Sequence, residues 1–147
     1  MAGTVSLAWH GVSEWNAAME QLVVRANKAC ERGANNAAKL VATETKKKLT
    51  TTTHRKGTPT PSRPGQPPSL VTGTLRRGVI IVPAKPVGGT AWASQVGPTS
   101  VYARVQELGG DTGRAVLPAR PYLAPSVDKL IGDGSLWAAF ASGWDRF

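Results

Sequence analysis

The sequence predicts an α+β fold: a long N-terminal helix, an extended basic Pro-rich loop, a small antiparallel sheet and a C-terminal helix. Three observations predict it. Apolar residues recur at three- and four-residue steps across residues 13–49. A β-branched run and an alternating run flank a glycine-rich turn across residues 79–96. A second helical stretch opens behind Pro125.

In the first helix, Trp15, Met19, Leu22, Val23, Ala26, Cys30, Ala34, Ala37 and Val41 form one apolar stripe. Ser13 is expected to be its N-cap, with Glu14 at the positive end of the helix dipole and Lys46, Lys47 and Lys48 at the negative end. Unbroken, the helix would run about 55 Å at ~1.5 Å per residue. Gly33 and Asn35-Asn36 are weak helix formers and predict a kink or break. A rod this long outreaches a 15.4 kDa globule, so part of its stripe is expected to meet another subunit.

The stretch RKGTPTPSRPGQPPSLVTGTLRRG, residues 55–78, then carries five basic side chains, five prolines and no acid. Its prolines exclude helix and central strand, which predicts an extended or flexible loop over residues 51–74. Beyond it, residues 79–82 and 91–96 are the predicted strands of a hairpin, with KPVGG as its turn. YARVQELG predicts a short helix closed by Gly109-Gly110, and GGDTGR a turn. The last helix, residues 126–142, is interrupted at Gly132-Asp-Gly134.

The 147 residues suit one domain, 1–147, able to fold without disulfides or metal. Cys30 is the only cysteine and cannot build a thiolate cage. No apolar run approaches the ~20 residues that cross a bilayer, and the first fifteen residues lack the Lys or Arg that opens a secretory signal. A soluble protein is expected, with no membrane partner. The net charge of +9 is unevenly placed: residues 46–77 hold eight basic groups and no acid. These are Lys46, Lys47, Lys48, Arg55, Lys56, Arg63, Arg76 and Arg77. Such a field faces an anion or stays in water.

Catalytic signatures are missing. The chain has no G-x-S-x-G, Walker A, G-x-G-x-x-G or H-E-x-x-H. His10 and His54 lie outside any metal-ligand spacing, and Cys30 sits on the apolar stripe as a small hydrophobe. Asp111, Asp128, Asp133 and Asp145 fall at turns or helix ends, where Asp is expected. GDTG at 110–113 has the form of a KH clamp but fits a hairpin turn better. No enzyme activity, catalytic residue, metal or cofactor is expected.

The basic stretch has three readings. It is a solvated linker, a backbone-level and sequence-blind contact to DNA, or an arm that orders on a neighbouring subunit. It offers no aromatic residue for stacking on bases.

Three phrases in order carry a resemblance. PGQPPSLVTGTLRRG (64–78) resembles P-G-x-P-P … T-G-x-L-R-x-S, YARVQELGG (102–110) resembles Y-A-x-x-x-E-x-G, and LPARPYLAPSVD (117–128) resembles x-A-R-P-F-L-x-P-A. The chain thereby resembles the head–tail joining, or tail completion, family of long-tailed bacteriophages. Gly65, Pro67, Pro68, Gly73, Leu75 and Arg76 match the first phrase. Tyr102, Ala103, Glu107 and Gly109 match the second, and Ala119, Arg120, Pro121, Leu123 and Pro125 the third. Gly78, Tyr122 and Ser126 depart from the usual Ser, Phe and Ala.

The resemblance implies a structural virion protein in a homo-oligomeric ring, six-fold favoured, at the head–tail interface, assembled in the host cytoplasm. Its partners would be the neighbouring connector or stopper and the tail terminator or tail tube proteins. The genome would pass through the ring and touch it non-specifically. A tail terminator capping the tube is the alternative, and a small non-specific DNA-binding protein a further one. On physical grounds Gly73 and Gly109 are expected at backbone angles other residues avoid. Arg120 is expected to pair with Glu107, and Tyr102 and Tyr122 to be core.

Overall fold

The computed structural model describes residues 10–57 and 62–145. Helix α1 spans Val12–Lys48. A single helical turn, α2, covers Thr74–Arg77 and leads into strand β1 (Val79–Gly88), which pairs antiparallel with β2 (Ala91–Pro98). Helix α3 (Ala103–Leu108) precedes a two-residue ladder of β3 (Gly110–Asp111) with β4 (Val116–Leu117). Helices α4 (Ala124–Gly132) and α5 (Ser135–Ala141) follow, and a 3₁₀ turn closes the described chain at Ser142–Trp144. The mixed helix and sheet plan is the predicted one.

The helix starts one residue earlier than expected, and Ser13 is not its cap. Gly11 occupies that place at φ 86°, its carbonyl accepting the Trp15 N–H, while the Ser13 hydroxyl donates to Glu14. Nor does α1 break at Gly33. A Cβ on Gly33 would lie 2.5 Å from the Phe140 carbonyl oxygen, and one on Gly143 would lie 2.6 Å from that of Ala29. The glycines are therefore there to let the C-terminal helices approach α1 backbone to backbone. Arg32 Nε donates to the Gly143 carbonyl at 3.0 Å, and Asn36 Nδ2 to Ser142 Oγ at 3.0 Å.

On another side of α1 lies the hairpin. It is longer than expected, since residues 85–88 of the predicted turn continue β1 across irregularities at Val82/Lys85 and Pro86/Gly88. The first irregularity takes in Pro83, which cannot donate to a ladder, while Pro86 keeps its register opposite Trp92. The Ala84 N–H freed in the first bulge donates to Asn35 Oδ1 at 2.9 Å. Asn35 and Asn36, weak helix formers, thus serve tertiary contacts.

The core gathers Ala42, Leu49, Leu75, Val79, Ala103 and Tyr122, flanked by Ile81, Val96 and Leu123. On α1 the deeply buried positions are Ala29, Gly33, Ala38, Ala42 and Thr45, a face offset from the predicted stripe. Ala26, Cys30, Ala34, Ala37 and Val41 are only half-buried.

Candidate functional site: a tethered loop, a basic end and an uncovered helix

The loop expected to be extended or flexible is held to its own chain. Arg63-Pro64-Gly65-Gln66 make a type II turn, with Gly65 at φ 75° and the Gln66 N–H donating to the Arg63 carbonyl at 3.0 Å. The Gly65 N–H reaches the Ala119 carbonyl at 2.9 Å, and Pro67 is buried. At its base, Thr53 and Leu70 form a parallel bridge, the Leu70 N–H donating to the Thr52 carbonyl at 2.7 Å. The loop's remaining stretch, 58–61, lies outside the described residues.

Arg120 completes this tether. It is 8% exposed, and its Nε donates to the Ser62 carbonyl at 3.0 Å. The expected Glu107–Arg120 pair does not form. Glu107 instead takes three backbone N–H groups at the entrance of α4: Tyr122 at 2.8 Å and Leu123 at 3.0 Å on Oε2, and Ala124 at 2.9 Å on Oε1. A carboxylate satisfies a helix's orphan donors and its dipole together, so this arrangement outcompetes a guanidinium that finds a carbonyl elsewhere.

The three sequence phrases converge here. The first is bonded to the third through Gly65 and Ala119, and the second to the third through Glu107 and through Gln106, whose carbonyl accepts the Arg120 N–H at 2.7 Å. Gly109 is at φ 73°, and a Cβ there would lie 2.8 Å from the Ala119 nitrogen. Gly73, also at φ 73°, starts α2, whose Leu75 enters the core beside Ala103 and Tyr122. Pro68 lines a cleft of about 190 Å³ with Leu70, Arg76 and Tyr102. Tyr102 is 45% exposed and so is not core, whereas Tyr122 is fully buried. Pro121 is half-buried between Arg120 and Tyr122. Among the described residues the Tyr122 hydroxyl has no hydrogen-bond partner. Burial, then the charge of Glu107, pushes its ionisation well above the usual phenol range.

The basic residues divide between two places. Lys46, Lys47 and Lys48 occupy the last turn of α1, and Arg76 and Arg77 the last turn of α2. Leu49 and Leu75 share the core cluster, which brings these two helix ends together. Five cations thus collect where two helix dipoles are negative. Lys47, Arg76 and Arg77 are exposed, Lys46 and Lys48 half-exposed. Arg55, Lys56 and Arg63 are exposed on the loop.

The opposite end of α1 is bare. Residues 11–25 are exposed without exception, including Trp15 at 66%, Met19 at 40%, Leu22 at 43% and Val23 at 50%. Packing on α1 begins at Ala26. This is the predicted overreach of the rod. Below it, Ala34, Ala37, Val41, Trp92, Leu123 and Phe140 line an open apolar groove of about 430 Å³.

Among the described residues no group of three or more His, Cys, Asp or Glu is placed to hold a metal, and no helix is long and apolar enough to cross a membrane. The chain matches no protein-family model, no curated protein and no solved structure.

Proposed function

We propose that the chain is a structural protein of a bacteriophage neck, a subunit of a ring that joins the head connector to the tail tube with the genome passing through it. The observation that carries this reading is the bare end of α1. A tryptophan, a methionine, a leucine and valines stand in water along a single helix, and an exposed apolar surface of this kind marks an interface. The phrase resemblance supplies the class of assembly, and the five-cation end supplies a surface suited to DNA phosphates or an acidic neighbouring ring.

Imaging of virions carrying a tagged chain tests the proposal. Density for the tag at the neck, in several symmetry-related copies, is the expected result. A purified chain that stays monomeric, never appears in virions and binds duplex DNA tightly at physiological salt overturns it in favour of a small DNA-binding protein.

A further inference from the structure

We infer that the bare arm of α1 is received by the apolar groove of a neighbouring copy. The inference rests on the multi-copy assembly proposed above and names the contact that builds it. The arm presents Trp15, Met19, Leu22 and Val23 to water. The groove, about 430 Å³ and open to solvent, is floored by Ala34, Ala37 and Val41 of the same helix.

Within one chain the two cannot meet. Met19 and Ala37 are eighteen positions apart on one uninterrupted helix, or about 27 Å at ~1.5 Å per residue. Only a second molecule can bring an arm to that floor.

Charge favours a copy of this chain as the occupant and sets the direction. Ahead of Arg25, residues 10–24 carry Glu14 and Glu20 and no Lys or Arg, a locally acidic stretch on a chain of net charge +9. The far half of α1 carries Lys39, exposed, then Glu44, whose charge Lys129 of the same chain pairs, and then Lys46, Lys47 and Lys48. Laid antiparallel with Met19 over Ala37, the arm brings Glu14 opposite Ala42, between Lys39 and Lys46 of the neighbour, and Arg25 opposite its Glu31. Apolar burial would supply the affinity and the opposite charges the register.

Each chain has one arm and one groove, so the contact either closes reciprocally into a dimer or propagates from copy to copy into a ring.

Disulfide trapping tests the contact. In a Cys30→Ser background, Met19→Cys and Ala37→Cys are placed in separate chains, which are mixed and oxidised. A disulfide needs Cα atoms within ~7 Å, so any 19–37 bond joins two molecules. The expected result is efficient heterodimer trapping, with little trapping between Met19→Cys and a control Thr112→Cys chain on the exposed β3–β4 turn. A second arm of the test is Trp15→Glu with Leu22→Glu, which alters exposed residues outside the core and is expected to leave the circular dichroism unchanged while abolishing assembly.

The outcomes separate the two claims. Assembly that persists with no 19–37 bond, or that survives the double charge, overturns the arm-in-groove contact and leaves the ring reading standing. A chain carrying both cysteines that traps as a ladder up to a closed ring supports both. Trapping only as a dimer supports the contact and counts against the ring. A chain that stays monomeric at high concentration, gives no 19–37 trapping, never appears in virions and binds duplex DNA tightly overturns both.

Discussion

Glu107 Oε1 accepts the backbone N–H of Ala124, the first residue of α4, at 2.9 Å. That one carboxylate, which also holds the N–H groups of Tyr122 and Leu123, joins α3 to α4 and fixes the third sequence phrase against the second. Glu107→Gln keeps the shape but turns an NH₂ toward a backbone donor. It is expected to cost about 1–3 kcal/mol in urea denaturation. Swapping the charges of Glu107 and Arg120 is expected not to restore stability, and a rescue would show that the two side chains interact after all.

Gly33→Ala sets two effects against each other. Helix propensity favours alanine by about 1 kcal/mol in a helix interior. The added Cβ, however, meets the Phe140 carbonyl oxygen at 2.5 Å, a contact that cannot relax without moving α5. Overpacking of this kind costs about 1–3 kcal/mol. A net loss of stability is expected by thermal or chemical denaturation, and a gain would mean that the C-terminal helices do not sit on α1 this closely.

Tyr122→Phe removes a buried hydroxyl that has no partner among the described residues, and it installs the residue that the resembled phrase usually carries. The change is expected to be neutral or stabilising by up to about 1 kcal/mol. A loss larger than that in the denaturation midpoint would reveal a hydrogen bond to the hydroxyl. In the wild type, ultraviolet titration is expected to find one tyrosine protonated until the fold opens in alkali.

Glu44 and Lys129 form an ion pair between α1 and α4. The hydrogen bond from Lys129 lowers the Glu44 carboxyl below its ordinary value, and the same bond raises Lys129. The glutamate's contribution is therefore complete above the ordinary carboxylate range and fades as pH falls through its depressed value. The lysine's is complete below the ordinary amine range and fades as pH rises through its raised value. Thermal denaturation of Glu44→Gln against wild type is expected to show a small difference at neutral pH that closes in strong acid. A gap that widens in acid would contradict the pairing. The effect is small because the lysine side chain is 53% exposed.

Local patterns were readable and partner choices were not. The three- and four-residue spacing from Trp15 to Val41 located α1, the β-branched run at Val79 located the hairpin, and Pro125 located α4. Each depends on residues close in sequence. The misreadings all involve partners far along the chain. Gly33 looked like a helix breaker because its reason, Phe140, is a hundred residues away. The burial face turned from Ala26, Cys30, Ala34 and Ala37 to Ala29, Gly33, Ala38 and Ala42; both faces are lined by small residues, so spacing alone could not say which of them the distant C-terminal helices and hairpin would cover. Arg120 was matched with Glu107 by charge, yet backbone groups, invisible in a letter sequence, took both side chains. The anchoring of the 51–74 loop was hidden for the same reason, since every one of those bonds ends on a main-chain carbonyl. Of the candidate site, the eight cations and the overreach of α1 were legible, and the seating of Lys46–48 beside Arg76–77 through Leu49 and Leu75 was not.

The bare end of α1 also bears on how the molecule would find its neighbours. Starting a helix from coil is the slow, unfavourable event, and here it has already happened: the body keeps the helix wound from Ala26 onward. The first turns can melt and rewind in sequence without paying for a new nucleus. In the assembly proposed above, a chain with its tip softened would sweep a wider radius and stiffen turn by turn on capture, so its reach before capture would exceed that of the finished rod.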